Sequence, residues 1–309
     1  MSGTHPDREV HGAPHDAPPI RPLVLIHGFL GSPDDWGAFE SALGKIPHAP
    51  PTVRADLVEA ARGVLASGVG RVTLPRLACA LLESLRRDPR LQGGFDAVGY
   101  SMGGRVALEW LVQRGNGSAS ALDIRLMLAS ADPGMEDAAE RSRRAGVDAQ
   151  LSDRLAGIDA ARLPAERASR IASLLADWFA MPMFAPLTAT PAFEGILKRR
   201  QDDLASGDIA RCWSEIVGGC SPGANEPRWD TLRAAGDACM VVTGELDARY
   251  CAVVKRSSQL GIATRMMKDA GHALPTEQPD ALARLTAAWI AQGAAEGERN
   301  LAAHGTEIP

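Results

Sequence analysis

The stretch FDAVGYSMGGRVALEW, Phe95 to Trp110, decides the fold. An apolar run typical of a buried strand leads into Gly99-Tyr100-Ser101-Met102-Gly103, and apolar residues at helical spacing follow. The pentapeptide has the form G-x-S-x-G, in which the serine occupies a sharp strand-to-helix turn and the glycines leave room for it. Such a turn exposes the hydroxyl at a helix N-terminus, where the potential is positive and favours developing negative charge. The stretch therefore predicts a reactive serine at Ser101.

Strands and helices alternate on both sides of this stretch. Further apolar runs predict strands at Pro22–Phe29, Ile124–Ala131, Cys239–Asp247 and Ala263–His272. Helical patterns lie between them and close the chain, at residues 33–43, 74–87, 102–115 and 280–292. Alternation of this kind predicts an α/β protein with a mostly parallel central sheet, flanked by helices on both faces.

The pattern changes between residues 132 and 228, where helical segments follow one another without a strand. A block this long inside an α/β series is typical of an inserted helical cap. The predicted organisation is an N-terminal tail at 1–20, the first part of the core at 21–131, the cap at 132–228, the second part of the core at 229–294 and a C-terminal tail at 295–309.

Composition excludes several classes of function. The chain has 309 residues and a net charge of −5, whereas a general nucleic-acid binder carries a basic face. No apolar run approaches a membrane span, and the first twenty residues lack an apolar signal core. Five cysteines without a CxxC motif fit reduced thiols, so we expect a cytoplasmic protein.

No metal site is expected from the sequence. His5, His11 and His15 could bind a metal ion, and the last two are four residues apart, as ligands on one helix would be. Pro14 lies between them and opposes a helix.

A serine needs a base and an acid to act. His272 follows the last predicted strand, and Asp247 lies at the end of the strand before it. The order Ser101, Asp247, His272 predicts a catalytic triad, although a surface-turn aspartate and a structural histidine are the alternatives. Backbone amides of Met102 and of Phe29, in the loop HGFLGS, are predicted to form an oxyanion hole, and His27 is expected to brace that loop.

With these motifs in this order, the chain resembles the α/β-hydrolase fold family. More narrowly, it is similar to the 2-succinyl-6-hydroxy-2,4-cyclohexadiene-1-carboxylate synthases of menaquinone biosynthesis, from about Pro22 to about Ile290. The segments that carry the resemblance are HGFLGSPDDW (27–36), GYSMGGRVAL (99–108), PGMEDAAERSRR (133–144), ADWFAMPMFAPL (176–187) and GELDARY (244–250). The two segments at 133–144 and 176–187 are the specific ones, because the other three occur widely in related hydrolases.

The resemblance implies a lyase. These enzymes eliminate pyruvate from 2-succinyl-5-enolpyruvyl-6-hydroxy-3-cyclohexene-1-carboxylate, with the triad serine as the base and no metal or organic cofactor. It also implies a small anionic substrate, with no nucleic-acid or membrane partner. The sequence itself carries no signal for an oligomeric state.

The resemblance further implies a substrate-binding set. Arg105, Arg144 and Arg199 match positions that bind substrate carboxylates, with Arg200 as the alternative to Arg199. Tyr100 and Trp178 match aromatic pocket residues, and Phe179 stands where the family often has tyrosine. Solvated helix faces for the arginines, and a core position for Trp178, are the other interpretations.

One departure from the family keeps a second function open. VRADLVEAARGVLASG (53–68) replaces the DLPGHG segment of many relatives, so the loop there differs in shape. A serine hydrolase of an ester or a carbon–carbon bond is therefore the alternative prediction. A non-catalytic ligand-binding protein is the third, but binding alone needs no triad.

Overall fold

The computed structural model describes residues 21–68, 70–115 and 122–304, with side chains through Gly293. The tail predicted at 1–20, including His5, His11 and His15, lies outside the described residues. So do the last five residues of the chain.

One six-stranded sheet organises the molecule. Its strands are β1 (Leu23–Ile26), β2 (Thr52–Ala55), β3 (Phe95–Tyr100), β4 (Ile124–Ala129), β5 (Cys239–Gly244) and β6 (Ala263–Met267). They lie in the order β2-β1-β3-β4-β5-β6, and every neighbouring pair is parallel. This confirms the predicted α/β class. Strand β2 was not among the predicted strands, because TVRA is short and only Ala55 in it is buried.

Helices cover both faces of the sheet. In chain order they are α1 (Gly37–Leu43), α2 (Leu57–Ala66), α3 (Leu74–Leu85), α4 (Met102–Gly115), α5 (Ala138–Ala160), α6 (Pro164–Phe179), α7 (Ala185–Thr188), α8 (Phe193–Ala205), α9 (Ile209–Gly219), α10 (Trp229–Ala235), α11 (Ala248–Gln259), α12 (Leu274–Glu277) and α13 (Pro279–His304).

The core consists of two apolar layers, one on each face of the sheet. Strand β1 is fully buried along its length, and its side chains alternate between the layers. Val24 and Ile26 join the layer that contains Trp110, whereas Leu23 and Leu25 join the layer that contains Trp36. Continuous apolar strands of this kind are expected where helices cover both faces.

Helices α5 to α9 form an insertion between β4 and β5. Within it, α5 packs against α9 and α6 against α8, and α9 also contacts α2 and α3 of the core. The chain leaves and rejoins the core at one point, because the Arg228 amide donates to the Pro133 carbonyl at 2.6 Å. An ion pair between the partly buried Arg228 and the buried Glu109 of α4, with nitrogen and oxygen 3.1 Å apart, holds the same junction.

Helix α13 continues to His304, past residue 295, where the C-terminal tail was predicted to start. The domain bounds themselves stay predictions. Gly293 does not end the helix: its Cα lies so close to the Arg125 side chain that an added Cβ would be 1.1 Å from a guanidinium nitrogen. Glycine is therefore favoured at position 293 because a side chain would meet Arg125 there, and not because the helix ends in a turn.

No single helix among the described residues is long and apolar enough to cross a membrane. Helix α6 and the segment Pro182–Thr188 pass such a test only together, and they are bent by 83° at the break between them.

Candidate active site

Ser101 occupies a strained turn between β3 and α4. Its φ angle is 52°, in the left-handed region that residues with a side chain rarely adopt. The glycines around it are required by close packing. A Cβ on Gly103 would lie 2.5 Å from the carbonyl oxygens of Ile26 and His27, and one on Gly99 would lie 2.5 Å from the Cα of Gly104. The turn thus presents the serine hydroxyl at the carboxyl edge of the sheet.

The structure brings the three predicted triad residues together. His272 Nε2 lies 3.0 Å from Ser101 Oγ, and His272 Nδ1 lies 2.7 Å from Asp247 Oδ2. A carboxylate only accepts, so Nδ1 carries the proton and Nε2 is free to accept the serine proton. The imidazole and the carboxylate are almost fully buried, at 1% and 2% exposure. Serine, imidazole and carboxylate are therefore connected in the order that proton transfer requires.

Two loops hold the acid and the base. Asp247 caps α11, where its Oδ1 accepts from the Tyr250 amide at 3.4 Å. Glu277 braces the loop of His272 from both sides: it accepts from the Gly271 amide and, at 2.9 Å, from the Ala273 amide. Sequence analysis missed Glu277, whose only signal was its position five residues after the histidine.

The two residues predicted for an oxyanion hole, Phe29 and Met102, line the same cleft as Ser101. Met102 is the first residue of α4, where the amides have no acceptor within the helix. Phe29 lies in the loop after β1, beside the same cleft. His27 is fully buried under that loop: its Nε2 accepts from the Leu57 amide at 3.2 Å, so its Nδ1 donates to the Gly28 carbonyl at 3.0 Å. It is a brace, as predicted.

A cleft opens above Ser101, between the sheet edge and the insertion. It encloses about 1380 Å³, its open mouth included. The charged groups of the triad aside, its described lining contains four arginines and three aspartates: Arg105, Arg144, Arg200, Arg249, Asp35, Asp132 and Asp148. These seven side chains carry a net formal charge of +1, which favours an anionic ligand.

Three of those arginines are paired with the three aspartates. Arg144 Nε bonds both carboxylate oxygens of Asp148, at 2.9 and 2.8 Å, and Asp148 also accepts from Ser221 at 2.6 Å. Arg105, in contrast, donates to the Cys220 carbonyl at 2.6 Å and has no carboxylate partner among the described residues. The positive charge of Arg105 is thus the one in the described lining that no carboxylate offsets.

The structure corrects the placement predicted for Arg199. Arg199 is exposed, and it is not among the residues that line the cleft. Arg200 lines the cleft instead; it is buried and forms an ion pair with Asp35. The reason is rotational, because successive residues on a helix point about 100° apart and the packing of α8 turns Arg200 inward.

Aromatic rings of the insertion form one wall of the cleft. Trp178 packs edge-on against Phe29, with ring centroids 4.8 Å apart, and lies 5.5 Å from Phe184. Phe179 also lines the cleft and contacts Phe184 and Phe193. The predicted pocket residue Tyr100 lies beside the triad, its ring 5.4 Å from that of His272.

Sequence analysis missed two neighbouring residues that line the cleft. Arg249 pairs with Asp132 at 3.2 Å, and the Tyr250 ring lies 4.8 Å from that of His272. Burial raises the pKa of Tyr250 to about 12, with the charge of Asp132 adding to the effect. Both residues belong to the segment GELDARY, so their signal was their adjacency to Asp247.

The described residues contain no cluster of three or more histidine, cysteine or acidic side chains suited to a metal ion. All five cysteines are free thiols. Cys220, whose carbonyl accepts from Arg105, is fully buried, and burial raises its pKa to about 12. A buried thiol of that kind is unreactive.

Comparisons with known proteins agree with this fold. A family model described as the alpha/beta hydrolase family matches residues 23–285. Curated relatives include the 2-succinyl-6-hydroxy-2,4-cyclohexadiene-1-carboxylate synthase of Klebsiella pneumoniae (strain 342), 26% identical over 263 residues that cover 84% of this chain and 90% of the relative. The Escherichia coli O1:K1 / APEC protein of the same name is 24% identical over 267 residues, covering 86% and 92%.

Solved structures show the same architecture. MenH from S. aureus superposes with a TM-score of 0.69 at 19% identity, over 90% of this chain and 96% of that one. The epoxide hydrolase CorEH superposes with a TM-score of 0.57 at 14% identity, over 88% and 92%. At these identities the likeness concerns the fold.

Proposed function

The chain belongs to the α/β-hydrolase family, and from that premise we propose that it is a pyruvate-eliminating lyase. Its substrate is 2-succinyl-5-enolpyruvyl-6-hydroxy-3-cyclohexene-1-carboxylate, and its product is 2-succinyl-6-hydroxy-2,4-cyclohexadiene-1-carboxylate. The observation that carries the proposal is the convergence of arginines from core and insertion on the cleft above Ser101. The curated relatives with that name support the same reading.

The substrate's own chemistry defines what the site must do. The succinyl group puts a ketone next to ring carbon C2, so the proton on C2 is the acidic one. The ring double bond joins C3 and C4, and the enolpyruvyl ether oxygen is attached to C5. Removal of the C2 proton therefore gives an enolate whose electrons can pass through the ring and expel the oxygen from C5.

The triad supplies the base. Ser101 Oγ takes the C2 proton as its own proton passes to His272 Nε2, 3.0 Å away, and Asp247 stabilises the imidazolium that forms. The amides of Phe29 and Met102 donate to the ketone oxygen, where the enolate charge develops. Serine alone is a poor base, and the buried histidine beside it makes the transfer feasible.

The arginines bind the carboxylates of the substrate. Arg105 offers an uncompensated charge from the core helix α4, and Arg144 and Arg200 offer guanidinium groups from the insertion. The carboxylates of Asp148 and Asp35 hold the last two in fixed orientations, which lowers the entropy lost on binding. In this proposal helices α5 to α9 act as a cap over the substrate.

The test is pyruvate release by the purified full chain, with Ser101→Ala alongside and a no-enzyme control for spontaneous loss in base. We expect rapid release by the wild type and a loss on the order of 10³-fold or more in the variant, since removing a triad member has effects of that size. Release at the no-enzyme rate by folded wild-type protein would count against the lyase.

A hydrolase of an ester or a carbon–carbon bond is the second candidate. The aromatic wall formed by Trp178, Phe179 and Phe184 supports it, because an apolar acyl or aryl group would pack there. In that reaction Ser101 would attack a carbonyl carbon instead of a proton. A panel of nitrophenyl esters and diketones, assayed with wild type and Ser101→Ala, separates the two candidates.

A further inference from the structure

Tyr250 is a cleft residue that the mechanism above does not use. Its ring lies 4.8 Å from the His272 ring, and its amide is tied to Asp247, so it is fixed relative to the triad. The residue lines the cleft, and among the described residues none forms a hydrogen bond with its hydroxyl. A phenol held beside the base with an unused donor is available to the substrate.

The two tyrosines of the site face different parts of the cleft. Tyr100 packs against the oxyanion loop, where a Cβ on Gly28 would lie 2.9 Å from its ring. Tyr250 instead neighbours Arg249, whose guanidinium carbon lies 5.7 Å from the Tyr250 ring and which pairs with Asp132. With the ketone end of the substrate ring held at the oxyanion loop, the proposal places the opposite end of the ring beside Tyr250.

The proposed reaction needs a hydrogen-bond donor at that other end. Carbon C5 lies across the six-membered ring from C2, so the leaving oxygen is remote from the oxyanion hole. As the bond between C5 and oxygen breaks, its electron pair stays on oxygen, and the leaving group departs as the enolate of pyruvate. A donor aimed at this oxygen lowers the barrier of the second half of the reaction.

We infer that Tyr250 is a further catalytic residue, whose hydroxyl donates a hydrogen bond to the ether oxygen that leaves C5. The inference rests on the proposed lyase function. The electrons of the C2–H bond form C2=C3, those of C3=C4 form C4=C5, and those of the C5–O bond leave with oxygen. The enolate of pyruvate then takes a proton from water at carbon, and His272 returns its proton to water, so Tyr250 keeps its own.

The environment of Tyr250 suits a donor that stays protonated. Burial holds its pKa near 12, so the phenol is neutral throughout the physiological range. Arg249, paired with Asp132, lies with its guanidinium carbon 5.7 Å from the Tyr250 ring.

The experiment compares Tyr250→Phe with Tyr100→Phe and wild type in D₂O. Two rates are measured for each protein: pyruvate release, and incorporation of deuterium at C2 of recovered substrate. In Tyr250→Phe we expect release to fall on the order of 10²-fold, as for loss of one oxyanion donor. Deuterium incorporation relative to release should rise, because the enolate still forms but expels its leaving group slowly. Tyr100→Phe removes the other phenol of the site, so a rise of the ratio in Tyr250→Phe that exceeds any rise in Tyr100→Phe supports the inference.

The outcomes separate this inference from the function on which it rests. Wild-type release at the no-enzyme rate overturns the lyase and the inference together. An active wild type with an equally active Tyr250→Phe overturns the inference alone. A Tyr250→Phe protein in which release and incorporation fall by the same factor also overturns it, because that result describes a structural role.

Discussion

Ser101 combines a functional position with an unfavourable backbone conformation. Its φ of 52° belongs to the left-handed region, which costs a residue with a Cβ about 1–2 kcal/mol relative to its usual conformations. The surrounding glycines and the buried strand β3 impose this geometry on the turn. The site therefore stores strain that the rest of the fold offsets.

That strain predicts a stabilising but inactivating substitution. Ser101→Gly should raise the free energy of unfolding by about 1 kcal/mol, because glycine adopts a positive φ without steric cost. Ser101→Ala is the matched control, since it also lacks the hydroxyl but keeps the Cβ. Urea denaturation of the three proteins measures the difference. Equal stability of the glycine and alanine variants would contradict the prediction.

The neighbouring arginines of α8 provide a second test at the residue scale. Arg200→Met should raise KM for the anionic substrate on the order of 10-fold or more, since a charged hydrogen bond contributes about 1.5–3 kcal/mol. Arg199→Met should change KM less than twofold, because Arg199 lies outside the cleft. Steady-state kinetics of pyruvate release measure both KM values. A larger rise in KM for Arg199→Met than for Arg200→Met would contradict the assignment of Arg200 to the site. Thermal melts are needed alongside, because Arg200→Met also leaves Asp35 without its closest partner.

At the scale of elements, the position of α5 determines where the Arg144 guanidinium lies. The segment after α9 packs directly on this helix: a Cβ on Gly223 would lie 2.4 Å from the Arg141 carbonyl oxygen and the Ala145 amide nitrogen. The Gly223 amide also donates to Ser221 Oγ at 3.0 Å, and Ser221 donates to Asp148, the partner of Arg144. A chain of contacts thus runs from this segment to the cleft.

Gly223→Ala should displace α5 and weaken substrate binding. We expect a rise in KM and a loss of about 1–3 kcal/mol in stability, because the added methyl group meets backbone atoms that cannot rotate away. Gly146→Ala, within α5 itself, is the control, because an added Cβ there has no neighbour within 4 Å. It should gain up to about 1 kcal/mol from helix propensity and leave KM unchanged. Kinetics and urea denaturation of both variants provide the measurement, and an unchanged KM in Gly223→Ala would argue against this coupling.

At the scale of the whole molecule, the two apolar layers and the insertion form a continuous packed body around the sheet. Cys212 of α9 and Cys239 of β5 are fully buried in the same layer, although one belongs to the insertion and the other to the core. Cys79 is exposed on α3, and Cys251 is half-buried on α11. One of the five thiols is therefore exposed, one is half-buried and three are buried.

Thiol labelling should follow this distribution. A maleimide added to native protein should modify Cys79 rapidly and Cys251 more slowly, while Cys212, Cys220 and Cys239 stay protected until the molecule unfolds. Burial also raises the pKa of Cys220 and Cys239 to about 12, so few thiolates form at neutral pH. Mass spectrometry of peptides counts the labels over time. Rapid labelling of any of the three buried thiols in native protein would contradict the packing described.

The sequence by itself determined the class of fold and identified the serine, aspartate and histidine that lie together in the candidate site. Both depend on short-range patterns: apolar runs at strand spacing, a glycine-flanked serine between a strand and a helix, and an aspartate and a histidine after later strands. It also predicted that Arg105 would lie beside Ser101, because one helical turn relates the two positions.

The tertiary structure alone decided which charges face the cleft. Arg199 and Arg200 are adjacent in sequence, and only the packing of α8 against the rest of the insertion selects the second. The pairing of Arg249 with Asp132, and the contact of Tyr250 with His272, join residues 117 and 22 positions apart. Local patterns cannot specify such contacts, because they depend on where separate elements meet in space, and that is set by burial of the whole apolar surface.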